Sequence, residues 1–163
     1  AEIFANSGMS VFNLFESTVK TKSGLKQNLA EVLFQQQYHT IYLMLGINEL
    51  GYDYNSIIRK YQSVVDTIKA RQPNAMIVLE ANLHVTAQKS SSSSTYTNEK
   101  INQINSGIRA IAENSDCCYI DVNDIFDDEN GALKTTYSTD GSHVLGKYYS
   151  VWTDWLKGKS PDV

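Results

Sequence analysis

Hydrophobic positions along the chain fall into two patterns, short continuous runs and runs with helical spacing. Continuous apolar runs at 41–45, 75–79 and 117–122 predict strands covered on both faces, and residues 2–6 predict a further short strand. Between them, apolar residues recur every three or four positions, which predicts helices. The residues with this spacing are Leu25, Leu29, Val32 and Leu33; Tyr54, Ile57, Ile58, Tyr61, Val64, Val65 and Ile68; Ile101, Ile104, Ile108 and Ile111; and Leu145, Tyr148, Tyr149, Trp152, Trp155 and Leu156.

Strands and helices alternate along the chain, and this order predicts an α/β fold with a mostly parallel sheet. Asp53 or Asn55 is suited to cap the helix that follows, and Pro73 predicts where that helix stops. A length of 163 residues without a repeat or a linker favours a single domain over residues 1–163. The run Ser90 to Ser94 is typical of a surface loop, with the rim of a binding site as the sharper alternative.

Composition narrows the classes of partner. The net charge is −4, from 18 acidic and 14 basic residues, and no basic cluster supports a nucleic-acid partner. No apolar run approaches the roughly 20 residues of a membrane span. Cys117 and Cys118 are adjacent, so they lack metal-ligand spacing and read as strand residues, with a vicinal disulfide as the alternative.

Polar residues and glycines follow three of the predicted strands directly. Gly8 follows the first, Gly46 and Asn48 the second, and Asn82 and His84 the third. Because ligands of such folds sit at the carboxyl ends of the strands, these residues are expected on one edge of the sheet. His84 is accordingly a candidate substrate-binding residue.

The segment STDGSHVLGKYY places Asp140 three residues before His143, at the predicted entry to the last helix. This spacing lets the carboxylate orient the imidazole, so that the other ring nitrogen can act as a general base. A turn or cap role for Asp140 is the alternative. Asn48 and the backbone N–H of Gly8 are suited to stabilise an oxyanion.

These residues together resemble the SGNH or GDSL-type hydrolases. Three blocks of that family are matched in order, by NSG at 6–8, GINEL at 46–50 and DGSH at 140–143. The resemblance implies a flavodoxin-like three-layer α/β/α sandwich and a serine esterase or acylhydrolase that needs no cofactor. It also implies that Asp140 and His143 are catalytic and that Gly8 and Asn48 form the oxyanion hole.

The chain departs from the family pattern at the first block, Gly-Asp-Ser, which carries the nucleophile. No GDS occurs in the sequence, and the second block already begins at residue 6. The first strand of the family sheet is therefore expected to be missing, which would leave a gap between two strands. We expect an N-terminally truncated chain, or a homodimer that exchanges segments. Ser7 and Ser142 are weaker candidates for the nucleophile, because neither has a strand–turn–helix setting.

The sequence is compatible with three interpretations. The first is an esterase for small acyl esters, including O-acetyl groups on carbohydrates, with Tyr52, Tyr54 and Tyr96 as residues that could flank a sugar. The second is an SGNH-fold binding module without a nucleophile, and the third an unrelated flavodoxin-like domain. What precedes Ala1 in the gene distinguishes the first two.

Overall fold

The structure is a computed structural model that describes residues 2–159, and its elements follow the predicted alternation. Three single turns of 3₁₀ helix lie at Ile47–Glu49, Thr135–Tyr137 and Gly146–Tyr148. The strands are β1 (Thr18–Lys20), β2 (Lys26–Asn28), β3 (Thr40–Leu43), β4 (Met76–Glu80) and β5 (Cys118–Ile120), and the helices are α1 (Leu29–Gln35), α2 (Tyr54–Arg71), α3 (Ala87–Ser92), α4 (Asn98–Asn114), α5 (Asn123–Phe126) and α6 (Tyr149–Lys159).

The main sheet has three parallel strands in the order β3-β4-β5. Leu43 pairs with Leu79, and Leu79 with Tyr119, so the three strands end at nearly the same level. The three continuous apolar runs were therefore correctly predicted as strands, although each strand is shorter than its run. Their carboxyl ends form one edge, and the loops after them can meet there.

Helices α2 and α4 cover one face of this sheet. The side chain of Asp53 caps α2 by accepting a hydrogen bond from the Ser56 N–H, and the helix ends at Arg71, two residues before Pro73. The predicted apolar faces of both helices are confirmed as core. Among the described residues, no helix is long and apolar enough to cross a bilayer. The buried residues of these faces are Ile57, Tyr61, Val64, Val65, Ile68, Ile101, Ile104, Ile108 and Ile111.

Helix α6 lies on the opposite face of the sheet. Successive side chains of a strand point to opposite faces, and Leu79 packs in the core with α2 and α4. Glu80, the next residue, lines a cavity of about 340 Å³ together with Tyr149, Trp152 and Leu156 of α6. The arrangement is thus three layers, helices on both faces of a parallel sheet, as the fold prediction requires.

The first thirty residues differ from the prediction. Residues 2–6 form no strand, because they lie across a cavity from β3 and have no neighbouring strand with which to pair. An unpredicted antiparallel hairpin pairs β1 with β2, and Leu25 is exposed there instead of lying in a helix. Two smaller corrections concern helix bounds: Ser90 to Ser92 are helical in α3, and α6 begins only at Tyr149.

Candidate active site

The loops after β3 and β4 are joined at the carboxyl edge of the sheet by Asn82. Its side-chain amide donates a hydrogen bond of 2.8 Å to the carbonyl oxygen of Leu45. Gly46, the next residue, has φ +130°, and a Cβ there would lie 2.6 Å from Asn82 Nδ2. Glycine is therefore required at position 46, both for the backbone conformation and for the close approach of Asn82.

A buried network of asparagine side chains stabilises the segment after β4 at this edge of the sheet. Asn105 of α4 accepts a hydrogen bond of 2.8 Å from the Asn82 N–H and donates one of 2.9 Å to the Asn82 carbonyl. Asn123 donates to the same carbonyl at 3.0 Å. All three side chains are buried, so each amide needs these partners. Asn105 and Asn123 were not predicted as site residues, although the polar Asn105 beside Ile104 on an apolar helix face was a usable signal.

Asn48 contacts the loop that contains Gly8. Its Nδ2 donates a hydrogen bond of 2.9 Å to the Met9 carbonyl, and within the described part of the chain the second N–H of this exposed amide has no acceptor. The adjacent Glu49 is fully buried and accepts a hydrogen bond of 3.3 Å from the Val11 N–H. Burial raises the pKa of Glu49 to about 7. Asn48 and Glu49 together fix the loop 8–11, and Gly8 lies exposed on it with φ +77°.

Asp140 and His143 form a close pair on the loop that precedes α6. His143 Nδ1 lies 2.7 Å from Asp140 Oδ2, and the two side chains are 83% and 55% exposed. The other oxygen, Oδ1, accepts hydrogen bonds of 2.8 Å from the N–H groups of Ser142 and His143. The pKa of Asp140 is held well below its usual range. The largest cause is the hydrogen bond from the N–H of His143, followed by that from the N–H of Ser142 and by the contact with the His143 ring. The aspartate is thus a permanent anion beside the imidazole near neutral pH.

Ser142 is badly placed to be the nucleophile served by this histidine. Its Oγ lies 3.5 Å from His143 Nδ1, the nitrogen that already contacts Asp140. Ser7 is exposed beside Gly8, and its Oγ has no hydrogen bond within residues 2–159. Neither serine therefore shows the contact with a free histidine nitrogen that activates a hydroxyl.

The pair is attached to the β4 edge through Gly141. The Thr86 N–H donates a hydrogen bond of 2.8 Å to the Gly141 carbonyl. Gly141 is buried with φ +88°, and a Cβ there would lie 2.9 Å from Lys89 Cβ and from Thr86 Oγ1. The segment after β4 thus contacts the Gly46 turn at Asn82 and the Asp140 loop at Thr86. Its position places the predicted catalytic and oxyanion loops along one edge of the sheet.

His84 belongs to the interior of this edge. Its side chain is 9% exposed, and both ring nitrogens contact protein oxygens, Asp127 Oδ2 at 2.8 Å and Asn102 Oδ1 at 2.5 Å. A hydrogen bond from this ring to a substrate, the candidate role from the sequence, would require breaking one of these two hydrogen bonds. Asp127 was not predicted, because it is 43 residues away in an acidic stretch that reads as a solvated turn.

Comparison with solved structures identifies several proteins of the same fold. A protein from Streptococcus pneumonia, provisionally assigned as a platelet activating factor, superposes with a TM-score of 0.75 at 24% identity, covering 93% of this chain and 68% of that protein. An acetyl xylan esterase gives a TM-score of 0.69 at 14% identity, covering 96% and 78%. A variant of an acetyl-xylooligosaccharide esterase from Geobacillus Stearmophilus gives 0.64 at 16%, covering 96% and 70%. At these identities the likeness establishes the fold alone.

Sequence comparison supplies the family. No curated protein sequence matches the chain significantly. The family model for GDSL-like lipases and acylhydrolases matches residues 5–149, which include NSG, GINEL and DGSH. Since that match spans most of the chain, this protein belongs to the GDSL-like lipase/acylhydrolase family.

Proposed function

We propose that this domain is the larger part of a serine esterase in which His143 is the general base. The observation that carries the proposal is the Asp140–His143 contact, because it occupies Nδ1, while no hydrogen bond within residues 2–159 occupies Nε2 of the exposed ring. A serine hydroxyl at Nε2 would give up its proton to His143 as its oxygen attacks the ester carbonyl. Asp140, as a permanent anion, would orient the ring and stabilise its protonated form.

The oxyanion formed by this attack needs hydrogen-bond donors. The second amide N–H of Asn48 and the N–H of Gly8 are the proposed donors, since Asn48 is already tied to the same loop through Met9. Collapse of the intermediate releases the alcohol, which takes its proton from His143. Water then gives a proton to His143 as its oxygen attacks the acyl-enzyme. Collapse of this second intermediate releases the carboxylic acid, and the serine oxygen takes the proton back from His143.

The attacking serine is proposed to lie outside these 163 residues. A cavity of about 690 Å³ supports this, because it runs along β3, the edge strand of the sheet, with Glu2 and Phe4 on its other side. A further parallel strand placed there would end at the same edge as β3, beside Asn48. Leu29, Val32, Leu33 and Ile68 contribute apolar side chains to its lining.

Fluorophosphonate labelling, read by intact mass, tests the nucleophile. We expect no adduct on residues 1–163 and one adduct on a chain extended upstream in its gene. An adduct on the present chain that disappears in Ser7→Ala or Ser142→Ala would show that a resident serine attacks. If neither chain is labelled, the esterase proposal fails and a binding module with this pocket replaces it.

For the substrate, we propose an ester of a carbohydrate. The supporting feature is an exposed aromatic pair beside the proposed oxyanion loops: Phe12 and Tyr52 have ring centroids 5.0 Å apart and are 36% and 65% exposed. Such rings offer an apolar face to the C–H face of a sugar, as aromatic residues commonly do in binding sites. Tyr54 is less suited, because it is half-buried and its hydroxyl packs against Gly107.

Kinetics on two substrates tests this preference in the extended chain. Tyr52→Ala should raise KM for acetylated xylooligosaccharides by about tenfold, the loss of one aromatic contact, and leave KM for 4-nitrophenyl acetate unchanged. Phe34→Ala is the matched control, because Phe34 is 88% exposed on α1, away from the site loops. Equal effects of Tyr52→Ala on both substrates would contradict a sugar contact.

A further inference from the structure

His84 is held between two hydrogen-bond acceptors. Nδ1 lies 2.8 Å from the carboxylate oxygen Oδ2 of Asp127, and Nε2 lies 2.5 Å from the amide oxygen Oδ1 of Asn102. With the Asn102 amide in this orientation, both contacts are hydrogen bonds only when each ring nitrogen carries a proton, which is the imidazolium form. This ring is 9% exposed, so its charge is enclosed with that of Asp127, which is 17% exposed.

The charged groups around the ring are consistent with that form. Burial alone lowers the pKa of His84, but the hydrogen bonds to Asp127 and Asn102 and the charges of Asp127 and Asp121 more than offset it, so the pKa is raised. The acidic groups come from the chain that follows β5, whereas α4 contributes the neutral Asn102. A buried ion pair of this kind is costly to break from one side, because the remaining charge is left without a partner.

The backbone beside His84 is an attachment point for three parts of the protein. Asn98 of α4 both accepts from the Val85 N–H and donates to the Val85 carbonyl, each at 2.8 Å. The Leu133 N–H donates to the same carbonyl at 3.1 Å, and Leu133 closes the turn that begins at Asp127. The N–H of Thr86, the next residue, donates a hydrogen bond to the Gly141 carbonyl in the loop 140–143. The segment 84–86 therefore connects α4, the 127–133 turn and the loop with Asp140 and His143.

We propose that His84, as an imidazolium between Asp127 and Asn102, is a positioning residue that fixes the segment 84–86 and, through Thr86, the loop 140–143. The catalytic meaning of this positioning rests on the proposed esterase function, whereas the coupling itself does not. In this proposal His84 affects the Asp140–His143 pair through the backbone, and it does not itself contact the substrate.

The charge state can be read without any substitution. The chain has three histidines, and ¹⁵N labelling of their rings resolves His84 from the exposed His39 and His143. Near pH 6.5 we expect both ring nitrogens of His84 to carry slowly exchanging protons. A single protonated nitrogen with the other acting as an acceptor would overturn the proposal, whatever the behaviour of the variants.

The coupling is tested by amide hydrogen exchange in three variants of the same chain. Asp127→Asn should speed exchange about tenfold at the N–H groups of Thr86, Ser142 and His143, and leave Val64 in α2 unchanged. Asn102→Asp supplies a carboxylate at the other ring nitrogen, so the double variant D127N/N102D should restore slow exchange. His39→Ala, at the opposite edge of the sheet, is the control. No change in D127N, or a uniform change that includes Val64, would overturn the coupling.

A final measurement separates this proposal from the esterase proposal. In a chain that carries the serine, D127N should lower kcat about tenfold or more and leave KM nearly unchanged, since misplacement of a catalytic group affects the chemical step. If exchange at Ser142 and His143 responds but no serine is ever labelled, the coupling stands and only the esterase proposal fails. If kcat falls without the exchange response, the positioning proposal is wrong.

Discussion

Two histidine–aspartate pairs in this molecule have nearly the same contact geometry and opposite surroundings. Nδ1 lies 2.8 Å from the carboxylate in the His84–Asp127 pair and 2.7 Å in the His143–Asp140 pair. The first pair is buried, with both ring nitrogens occupied, whereas the second is exposed. No hydrogen bond within residues 2–159 occupies its Nε2. The free ring nitrogen, and not the contact distance, therefore indicates which pair can exchange a proton with a substrate.

The two pairs also differ in how the chain assembles them. His143 and Asp140 are three residues apart, so a single turn brings them together before the rest of the fold is considered. His84 and Asp127 are 43 residues apart and meet only because β4 and β5 are neighbours in the sheet. The local pair is suited to chemistry that needs an accessible group, and the distant pair to holding separate segments together.

The largest expected contrast is in catalysis. In an esterase-competent extended chain, His143→Ala should reduce kcat by roughly 10³- to 10⁶-fold, the range for loss of a triad base. Because His143 is exposed, the melting temperature should change little. Ester hydrolysis and thermal unfolding are measured on the same preparation, with His39→Ala as control. If His143→Ala retains a tenth of the activity, His143 is not the general base.

Stability should show the opposite contrast. Asp127→Asn removes the anion from a buried pair and should lower the free energy of unfolding by about 1–3 kcal/mol. Asp140→Asn alters an exposed pair and should cost less than about 1 kcal/mol. Urea unfolding of both variants at pH 6.5 gives the comparison. Equal losses would mean that burial does not distinguish the pairs energetically.

The same contrast explains what could be predicted from the sequence. The Asp140–His143 contact and the place of Asn48 after β3 could be predicted because their signals are local, a three-residue spacing and a polar residue at a strand end. Their catalytic roles stay predictions. The helices were found because their periodicity is strong, as for Ile101 to Ile111. Asp127 escaped detection because its partner is distant in sequence and its neighbours are acidic.

The N-terminal region was mispredicted for a related reason. Residues 2–6 have strand-like composition, but a strand forms only where a neighbouring strand takes up its hydrogen bonds. Leu25 fits a helical spacing with Leu29, yet the hairpin β1–β2 forms around it and exposes it. In both places tertiary context outweighed the local pattern, and one sequence contains no signal of that context.

Gly141 joins the two regions, so replacing it tests whether they are coupled. Gly141→Ala adds a Cβ that would lie 2.9 Å from Lys89 Cβ, at a residue with φ +88°. Gly131 has φ +78° and nothing within 4 Å of the added Cβ, so Gly131→Ala measures the backbone strain alone. We expect Gly141→Ala to be less stable than Gly131→Ala by about 1–2 kcal/mol in urea unfolding. Matched losses would show that the Thr86–Gly141 contact is loose.

The smallest expected effects are in the pH dependence, and they have opposite signs for the two pairs. The pKa of His84 is raised above its unfolded value of about 6.5. The charged ring therefore contributes fully to the free energy of unfolding below that pH, and this contribution is lost as pH rises through the pKa of the folded state. The pKa of Asp140 is lowered, so its small contribution is present above about pH 4 and is lost only as pH falls further. Burial raises the pKa of Glu49 and Glu80 to about 7, so both lower the stability as pH rises towards 7, and the share of His84 is the difference between two profiles. Urea unfolding from pH 5 to 9 should therefore show a larger decline above neutral pH in the native chain than in Asp127→Asn. Asp140→Asn should follow the native profile over this range, because Asp140 stays ionised throughout it. A decline that persists unchanged in Asp127→Asn would assign the pH dependence to groups other than the buried pair.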